Sequence, residues 1–380
     1  MEFRDLKMQY RVLKDDIQSA IETVLQDANY ISGKQVVELE QRLAQYVGAK
    51  HCITCANGTD ALSVALMAWD IGPGDAVFVP DFTFFASGEV VSLAGATPVF
   101  VDIDRDTFNI SSTSLEEAIN KVLEEGQLAP KVVITVDLFG QPADYDSIVS
   151  IAKRYSLKLL EDSAQGFGGS IRGKRACSFG DISTTSFFPA KPLGCYGDGG
   201  AIFTDDDRIA ALIRSLCIHG KGNDKYDNVR VGMNSRLDTI QAAILQVKLK
   251  AFMEYEVEDI NRIADRYTEN LKDLVITPMV NEGYYSSWAQ YSILLKDKTQ
   301  RDLLQSRLKR CNIPSMIYYS KPMHKQTAFE MVDCVKVDLS VTADVCDRIL
   351  ALPIHPYLTE EEQNLVITEI KEFISNYKEQ

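Results

Sequence analysis

Between residues 52 and 204, short apolar runs alternate with stretches of helical period. That rhythm restricts the fold more than any other feature of the chain. Residues 52–55, 76–79, 98–101, 132–136, 157–160, 182–188 and 201–204 read as strands. Residues 59–68, 87–93, 115–123 and 145–154 read as the helices between them. This βαβα order predicts an α/β architecture, a mostly parallel seven-stranded sheet between layers of helices. Ligands of such sheets sit beyond the carboxyl ends of the strands. Two helices precede the sheet. Val12, Leu13, Ile17, Ile21, Val24 and Leu25 recur at helical intervals, as do Val37, Leu39, Leu43 and Tyr46, with Gly48 as a C-cap.

A chain of 380 residues is too long for one small core. The reading divides it into a large α/β domain, residues 1–255, and a small α+β domain, residues 256–380. The opening segment, residues 1–25, is free to pack on the small domain. A long helix over 238–252 leads into the second unit, where 288–295 and 317–319 read as strands and 360–377 as an amphipathic helix. No repeat or low-complexity linker interrupts the chain.

A net charge of −14 argues against a general nucleic-acid surface. No apolar run approaches the roughly 20 residues of a membrane helix, and the mixed charges of residues 1–7 do not resemble a signal segment. A cytoplasmic protein is expected. Cys52 and Cys55 lack a second pair or nearby histidines, and Cys177, Cys195, Cys217, Cys311, Cys334 and Cys346 are scattered, so no metal site is expected and the cysteines read as small buried residues.

Four places after strands carry chemistry. Lys191 follows a strand and precedes a turn dense in glycine, where a desolvated amine can attack a carbonyl carbon. The aldehyde of pyridoxal 5'-phosphate is the usual partner of such an amine. Asp162 ends a strand; it is either a helix N-cap or the carboxylate that pairs with a protonated pyridine nitrogen, and Lys191 downstream favours the latter. Gln165 is placed to hydrogen-bond the same ring, and Glu161 is expected to face solvent or serve structure. Gly58 lets a ligand approach the backbone, with Thr59 as the helix cap and Ser186 as a further phosphate donor. Phe84 either stacks on a planar ring or packs in the core, with Phe85 facing the other way.

The runs Cys55-Ala56-Asn57-Gly58-Thr59-Asp60-Ala61-Leu62, Glu161-Asp162-Ser163-Ala164-Gln165, Ser186-Phe187-Phe188-Pro189-Ala190-Lys191 and Gly232-Met233-Asn234-Ser235-Arg236-Leu237-Asp238 resemble the DegT/DnrJ/StrS family of nucleotide-sugar aminotransferases. The similarity runs from about residue 3 to residue 358. It implies the fold type I architecture of pyridoxal phosphate (PLP) enzymes, a homodimer with shared active sites, and amino transfer from L-glutamate to a UDP- or dTDP-linked keto-sugar. The product would enter surface polysaccharide or glycan biosynthesis. Carried over by position, Lys191 is joined to the cofactor aldehyde, Asp162 holds the pyridinium, Gln165 contacts the ring hydroxyl side and Phe84 stacks on the ring. Gly58, Thr59 and Ser186 bind the phosphate, with Asn234 reaching it from the second subunit; spacing alone reads Asn234 as a turn residue.

The subgroup that aminates C3 of a UDP-3-keto-hexuronic acid is the most similar in the 187–204 and 230–239 runs. There Arg236 would meet the uronate carboxylate. Where that subgroup carries His-Tyr, this chain has Tyr318-Tyr319, with His324 shortly after. These residues either touch the sugar or pyrophosphate or pack within the small domain. The other readings are C4 amination, a dTDP-linked acceptor, a sugar dehydratase on the same fold (whose lysine is replaced by histidine), a PLP-binding regulator without turnover, and a redox protein using Cys52 and Cys55.

Overall fold

The computed structural model describes residues 1–224, 226–330, 332 and 335–378; Cys334 lies outside them. Helices α1 (Leu6–Asp27) and α2 (Lys34–Val47) open the chain. The alternating section follows as β1 (His51–Cys55), α3 (Gly58–Ala68), β2 (Asp75–Pro80), α4 (Ala86–Leu93), β3 (Thr97–Val101), α5 (Ser112–Glu125), β4 (Ala129–Val136), α6 (Tyr145–Arg154) and β5 (Lys158–Asp162). After the short β6 (Ser170–Ile171) and β7 (Lys174–Arg175) come β8 (Ile182–Ser186), β9 (Gly200–Thr204), α7 (Asp207–Leu216) and α8 (Thr239–Ala251). The rest comprises α9 (Val257–Leu271), β10 (Tyr284–Tyr285), β11 (Tyr291–Leu294), α10 (Lys298–Arg310), α11 (Ser340–Arg348), β12 (Ile349–Leu352) and α12 (Glu360–Lys378).

The seven-stranded sheet has the order β1-β9-β8-β5-β4-β2-β3. Pairings β2–β3, β2–β4, β4–β5 and β5–β8 are parallel, while β9 runs antiparallel to both β1 and β8. The strands are nearly all buried because helices cover both faces. Val77, Val79, Ile134 and Leu160 face one apolar cluster and Phe78, Val99, Val133 and Leu159 another. Polar residues set the helix ends locally. Asn57, Ser111, Asp144, Asp206 and Asp297 accept from first-turn N–H groups, and Gly48 ends α2 with φ 82°.

A separate apolar cluster joins α9, α10, α12, β11 and β12 through Ile263, Tyr267, Leu271, Tyr291, Leu304, Leu308, Leu352 and Ile370. Helix α1 lies along α8. Two readings of this region need correction. The strand expected over 288–295 is confined to Tyr291–Leu294. The strand expected over 317–319 is a turn: Met316 bridges Ala351, and the chain then leaves the pairing because Tyr319 is drawn to Phe82 and Gln165. Among the described residues no helix is long and apolar enough to cross a membrane. Cys52, Cys55, Cys177, Cys195, Cys217 and Cys346 are buried.

Candidate active site

Parallel strands put their carboxyl ends on one edge, and that edge gathers most of the residues singled out above. Asp162 is the last residue of β5, in register with Val136 of β4 and Thr184 of β8. It is buried, and its oxygens accept from Ser87 Oγ at 2.9 Å and Ala164 N at 3.1 Å. Two neutral donors do not replace the water lost. Burial therefore raises the Asp162 carboxyl, against the pull of Ala164, Lys191 and Ser87. Lys191 lies five residues past β8, its N–H on the Phe188 carbonyl at 2.9 Å. Burial lowers its amine, Asp162 opposes that, and the Arg4 charge adds to it. Burial thus shifts both groups in the direction of their neutral forms.

Phe84 follows β2 and is 54% exposed, with the Lys191 Nζ 5.9 Å from its ring centroid. Phe85 packs on Phe329 in the core, with centroids 5.2 Å apart. A large aromatic face left bare beside a desolvated amine is a surface on which a planar ring can lie.

The other end of the site is the start of α3. Asn57, not Thr59, is the N-cap, its side chain accepting from Asp60 N at 2.8 Å. Asn57 has the extended backbone (φ −166°) of a cap, whereas Thr59 already lies inside the first turn. The N–H groups of Gly58 and Thr59 therefore point off the helix end with no intrahelical acceptor. Ser186 closes in from β8: a Cβ on Gly58 would stand 2.7 Å from the Ser186 Cβ. Gly200 is under the same constraint, since a Cβ there would meet the Asn57 carbonyl at 2.5 Å. Only glycine lets β8, β9 and the 56–58 turn converge this closely. We expect Gly58→Ala to push Ser186 aside and to lower affinity for the cofactor phosphate about tenfold, the loss of one charge-assisted hydrogen bond. Equilibrium dialysis of the cofactor checks this.

Gln165 is buried with its amide largely committed. Its Oε1 accepts from Phe139 N at 2.9 Å, and its Nε2 donates to the Tyr319 hydroxyl at 3.1 Å, leaving one Nε2 hydrogen for a ligand. Tyr319 meets Phe82 edge-on at 5.7 Å, and Tyr318 lies between Phe3 at 6.2 Å and Tyr319 at 5.7 Å. His324 is tied to the fully buried Asp81, just past β2, through its N–H at 2.8 Å and Nδ1 at 2.6 Å. Asn234 and Arg236 lie in the run before α8, against the 56–58 turn. They hydrogen-bond to each other at 2.8 Å, Asn234 is exposed, and Ser235 between them receives Ala56 N at 3.1 Å.

Spacing did not disclose several residues. Ser87 holds Asp162 from the first turn of α4. Arg4 reaches from the N-terminal arm to the Lys191 and Pro192 carbonyls at 3.1 and 3.4 Å. Glu161 serves structure and does not face solvent. It is fully buried and accepts from Cys177 N, Phe179 N, Gly180 N and the Ser163 and Ser183 hydroxyls. Three backbone acceptances from a loop 16 to 19 residues away are invisible in a linear pattern.

The donor set fits pyridoxal phosphate. An under-compensated carboxylate suits a pyridinium, a desolvated amine suits an aldehyde, a bare aromatic suits the ring, and a helix N-terminus beside a serine suits the phosphate. The chain matches the DegT/DnrJ/EryC1/StrS aminotransferase family over residues 11–371. It is 46% identical over 359 residues to the UDP-2-acetamido-2-deoxy-3-oxo-D-glucuronate aminotransferase of Pseudomonas aeruginosa, covering 94% of this chain and 96% of that one. The crystal structure of a DegT DnrJ EryC1 StrS aminotransferase from Brucella abortus superposes with a TM-score of 0.96 at 49% identity, covering 98% and 99% of the two chains. NtdA from Bacillus subtilis, solved with bound pyridoxamine phosphate (PMP), superposes with a TM-score of 0.87 at 30% identity, covering 96% of this chain and 82% of that one. The chain therefore belongs to the DegT/DnrJ/EryC1/StrS family and is a pyridoxal phosphate-dependent aminotransferase.

Proposed function

We propose that the enzyme moves an amino group from L-glutamate to C3 of a UDP-linked 3-keto-hexuronic acid or a related 3-keto-hexose, in the cytoplasm and for glycan biosynthesis. The observation that carries the catalytic part is the Lys191 amine held beside the bare face of Phe84, with Asp162 desolvated behind it. Pyridoxal phosphate, when bound, supplies an aldehyde that carries the amino group and a ring that takes up the electron pair left when a substrate carbon gives up its proton.

The chain's own residues do the rest. Lys191 Nζ, lowered by burial, accepts the substrate carbon's proton as a base and returns it as an acid. Asp162 holds the proton on the ring nitrogen. Gly58, Thr59 and Ser186 hold the phosphate, Phe84 covers one ring face and excludes water, and the spare Nε2 hydrogen of Gln165 meets the ring hydroxyl. Tyr318, Tyr319 and His324 line the sugar side.

We assign the working form as a homodimer. Asn234, exposed beside the 56–58 turn, and Arg236 then serve the second subunit's site, Asn234 at the phosphate and Arg236 at the uronate carboxylate. The 256–380 segment, with its own apolar cluster, is the small domain. Mixing Lys191→Ala with Asn234→Ala subunits tests the assignment: it is expected to restore activity that neither homodimer has, and no recovery would count against shared sites.

The acceptor is tested by offering UDP- and dTDP-linked 3-keto and 4-keto sugars to the aminated cofactor form. The UDP-3-keto uronate is expected to restore the original absorbance fastest. Arg236→Leu removes a charge-assisted contact and is expected to reduce kcat/KM for the uronate roughly 10–100-fold while sparing an uncharged sugar. An equal loss on both sugars would remove Arg236 from the carboxylate.

A further inference from the structure

Behind Asp162 lie two more carboxyl groups, Asp137 and Glu161, both fully buried. Ser163, also fully buried, stands between them. Its hydroxyl touches Asp137 Oδ2 on one side and Glu161 Oε1, at 2.8 Å, on the other. A serine hydroxyl has one proton, so it cannot donate to both. One of the two contacts must run the other way, from a protonated carboxyl to the serine oxygen.

The remaining donors decide which carboxyl carries that proton. Glu161 Oε1 accepts from Cys177 N at 2.6 Å. Its Oε2 accepts from Phe179 N at 2.7 Å, Gly180 N at 3.1 Å and Ser183 Oγ at 2.6 Å. Both oxygens are thus already fed by donors, the environment of a carboxylate anion. Asp137 is asymmetric. Oδ1 accepts from Tyr145 OH at 2.7 Å and Ala143 N at 3.0 Å, while Oδ2 has Ser163 alone. That is the pattern of a neutral acid, with a carbonyl at Oδ1 and a hydroxyl at Oδ2.

We infer that Asp137 is held as the neutral acid, its Oδ2 proton bonded to Ser163 Oγ and the Ser163 proton bonded to Glu161, and that it is a positioning residue for Asp162. The titratable groups facing it are Glu161 of β5, Tyr145 of α6, Tyr284 of β10 and Cys177, all neutral or negative, while Asp162 meets it through the backbone. Burial and then the Glu161 charge push the Asp137 carboxyl well above the usual range, against Ser163, Tyr145 and Ala143.

The link to the site is geometric. Asp137 N donates to the Asp162 carbonyl at 3.1 Å, Ser163 is the next residue in the chain, and a Cβ on Gly166 would stand 2.3 Å from the Asp137 Cβ. The 162–166 turn, which carries Asp162 and Gln165, is wrapped around this side chain. A neutral Asp137 leaves one negative charge, that of Glu161, behind Asp162. A second would drive Asp162 to take up a proton and loosen its hold on the ring nitrogen. That consequence rests on the reading of Asp162 given above; the proton itself does not.

The test compares the holoenzyme with Asp137→Asn, Asp137→Ala and Glu161→Gln. Below the unfolded carboxyl value of about 3.9, both the folded and the unfolded wild type hold this proton. Above it, only the folded state does. Folding then takes up a proton, and the wild type loses about tenfold in folding equilibrium per pH unit until the folded carboxyl also ionises. Asparagine has no such proton. The urea midpoint of Asp137→Asn is therefore expected to rise relative to wild type as the pH climbs above about 3.9, until the folded carboxyl ionises. A flat difference would overturn the inference, as would the widening difference appearing in Glu161→Gln instead. Asp137→Ala leaves Ala143 N without its acceptor, Tyr145 with Thr135 alone and Ser163 with Glu161 alone, and is expected to weaken cofactor retention about tenfold, with Asp137→Asn restoring it. Equal damage from Asn and Ala would remove Asp137 from its positioning role. These readouts do not use the amino-transfer reaction, so they hold or fail apart from the acceptor assignment.

Discussion

Lys191→Ala is expected to lose the visible absorbance of the cofactor-bound lysine and at least about 10³-fold in turnover. Two functions leave with one nitrogen. In the proposed roles the covalent anchor goes, and so does the group that moves the proton, a contribution of roughly 10²–10⁴-fold on its own. The expectation follows from the surroundings more than from the residue type. The amine is lowered by burial, sits 5.9 Å from the Phe84 centroid, and has its peptide held by Arg4 at 3.1 Å. Absorbance spectra and single-turnover kinetics with glutamate check it. The fold should survive, since the Lys191 side chain is no part of the apolar clusters. A variant that kept both absorbance and turnover would remove Lys191 from the chemistry.

Asp162→Asn carries the second-largest effect. Asparagine keeps the shape: its oxygen accepts from Ala164 and its amide donates to Ser87 in place of the present 2.9 Å bond. It cannot hold a positive charge on a ring nitrogen. Removing one member of a buried charge pair costs about 3–5 kcal/mol, or roughly 10²–10⁴-fold, and the loss is expected in kcat with a smaller change in KM. Asp162→Ala is expected to add loss of cofactor, because no polar group then faces the ring nitrogen and Ser87 keeps only Thr83 as a partner. Stopped-flow absorbance with glutamate separates the two. Unchanged kcat in Asp162→Asn would show that the ring nitrogen is held elsewhere.

The sheet was legible because parallel strands covered on both faces must be apolar, and runs such as 76–79 and 132–136 can hardly be anything else. The positions of Lys191, Asp162, Gly58 and Phe84 were legible because each falls at or just past the end of a strand, where such a fold puts its ligands. Contacts between distant segments stayed hidden. Nothing local shows Arg4 that it will meet Lys191, 187 positions away, or His324 that it will meet Asp81, 243 positions away. The helix cap was misread by two residues, from Asn57 to Thr59, since both residue types cap helices and only the backbone of Asn57 settles it. The strand expected over 317–319 failed for a related reason. Its tyrosines have high strand propensity, but Tyr319 is bound from the side by Gln165 and Phe82, a tertiary demand that overrides it. Glu161 and Asp137 could not be assigned at all from the chain order, because their state depends on counting donors in three dimensions.

The proposed bond between Lys191 and the cofactor is tested most directly by borohydride reduction of the purified enzyme followed by peptide mass spectrometry. A single added phosphopyridoxyl group is expected, on the peptide that contains Lys191. The same group on another lysine, or none on a protein that still transfers amino groups, would contradict it.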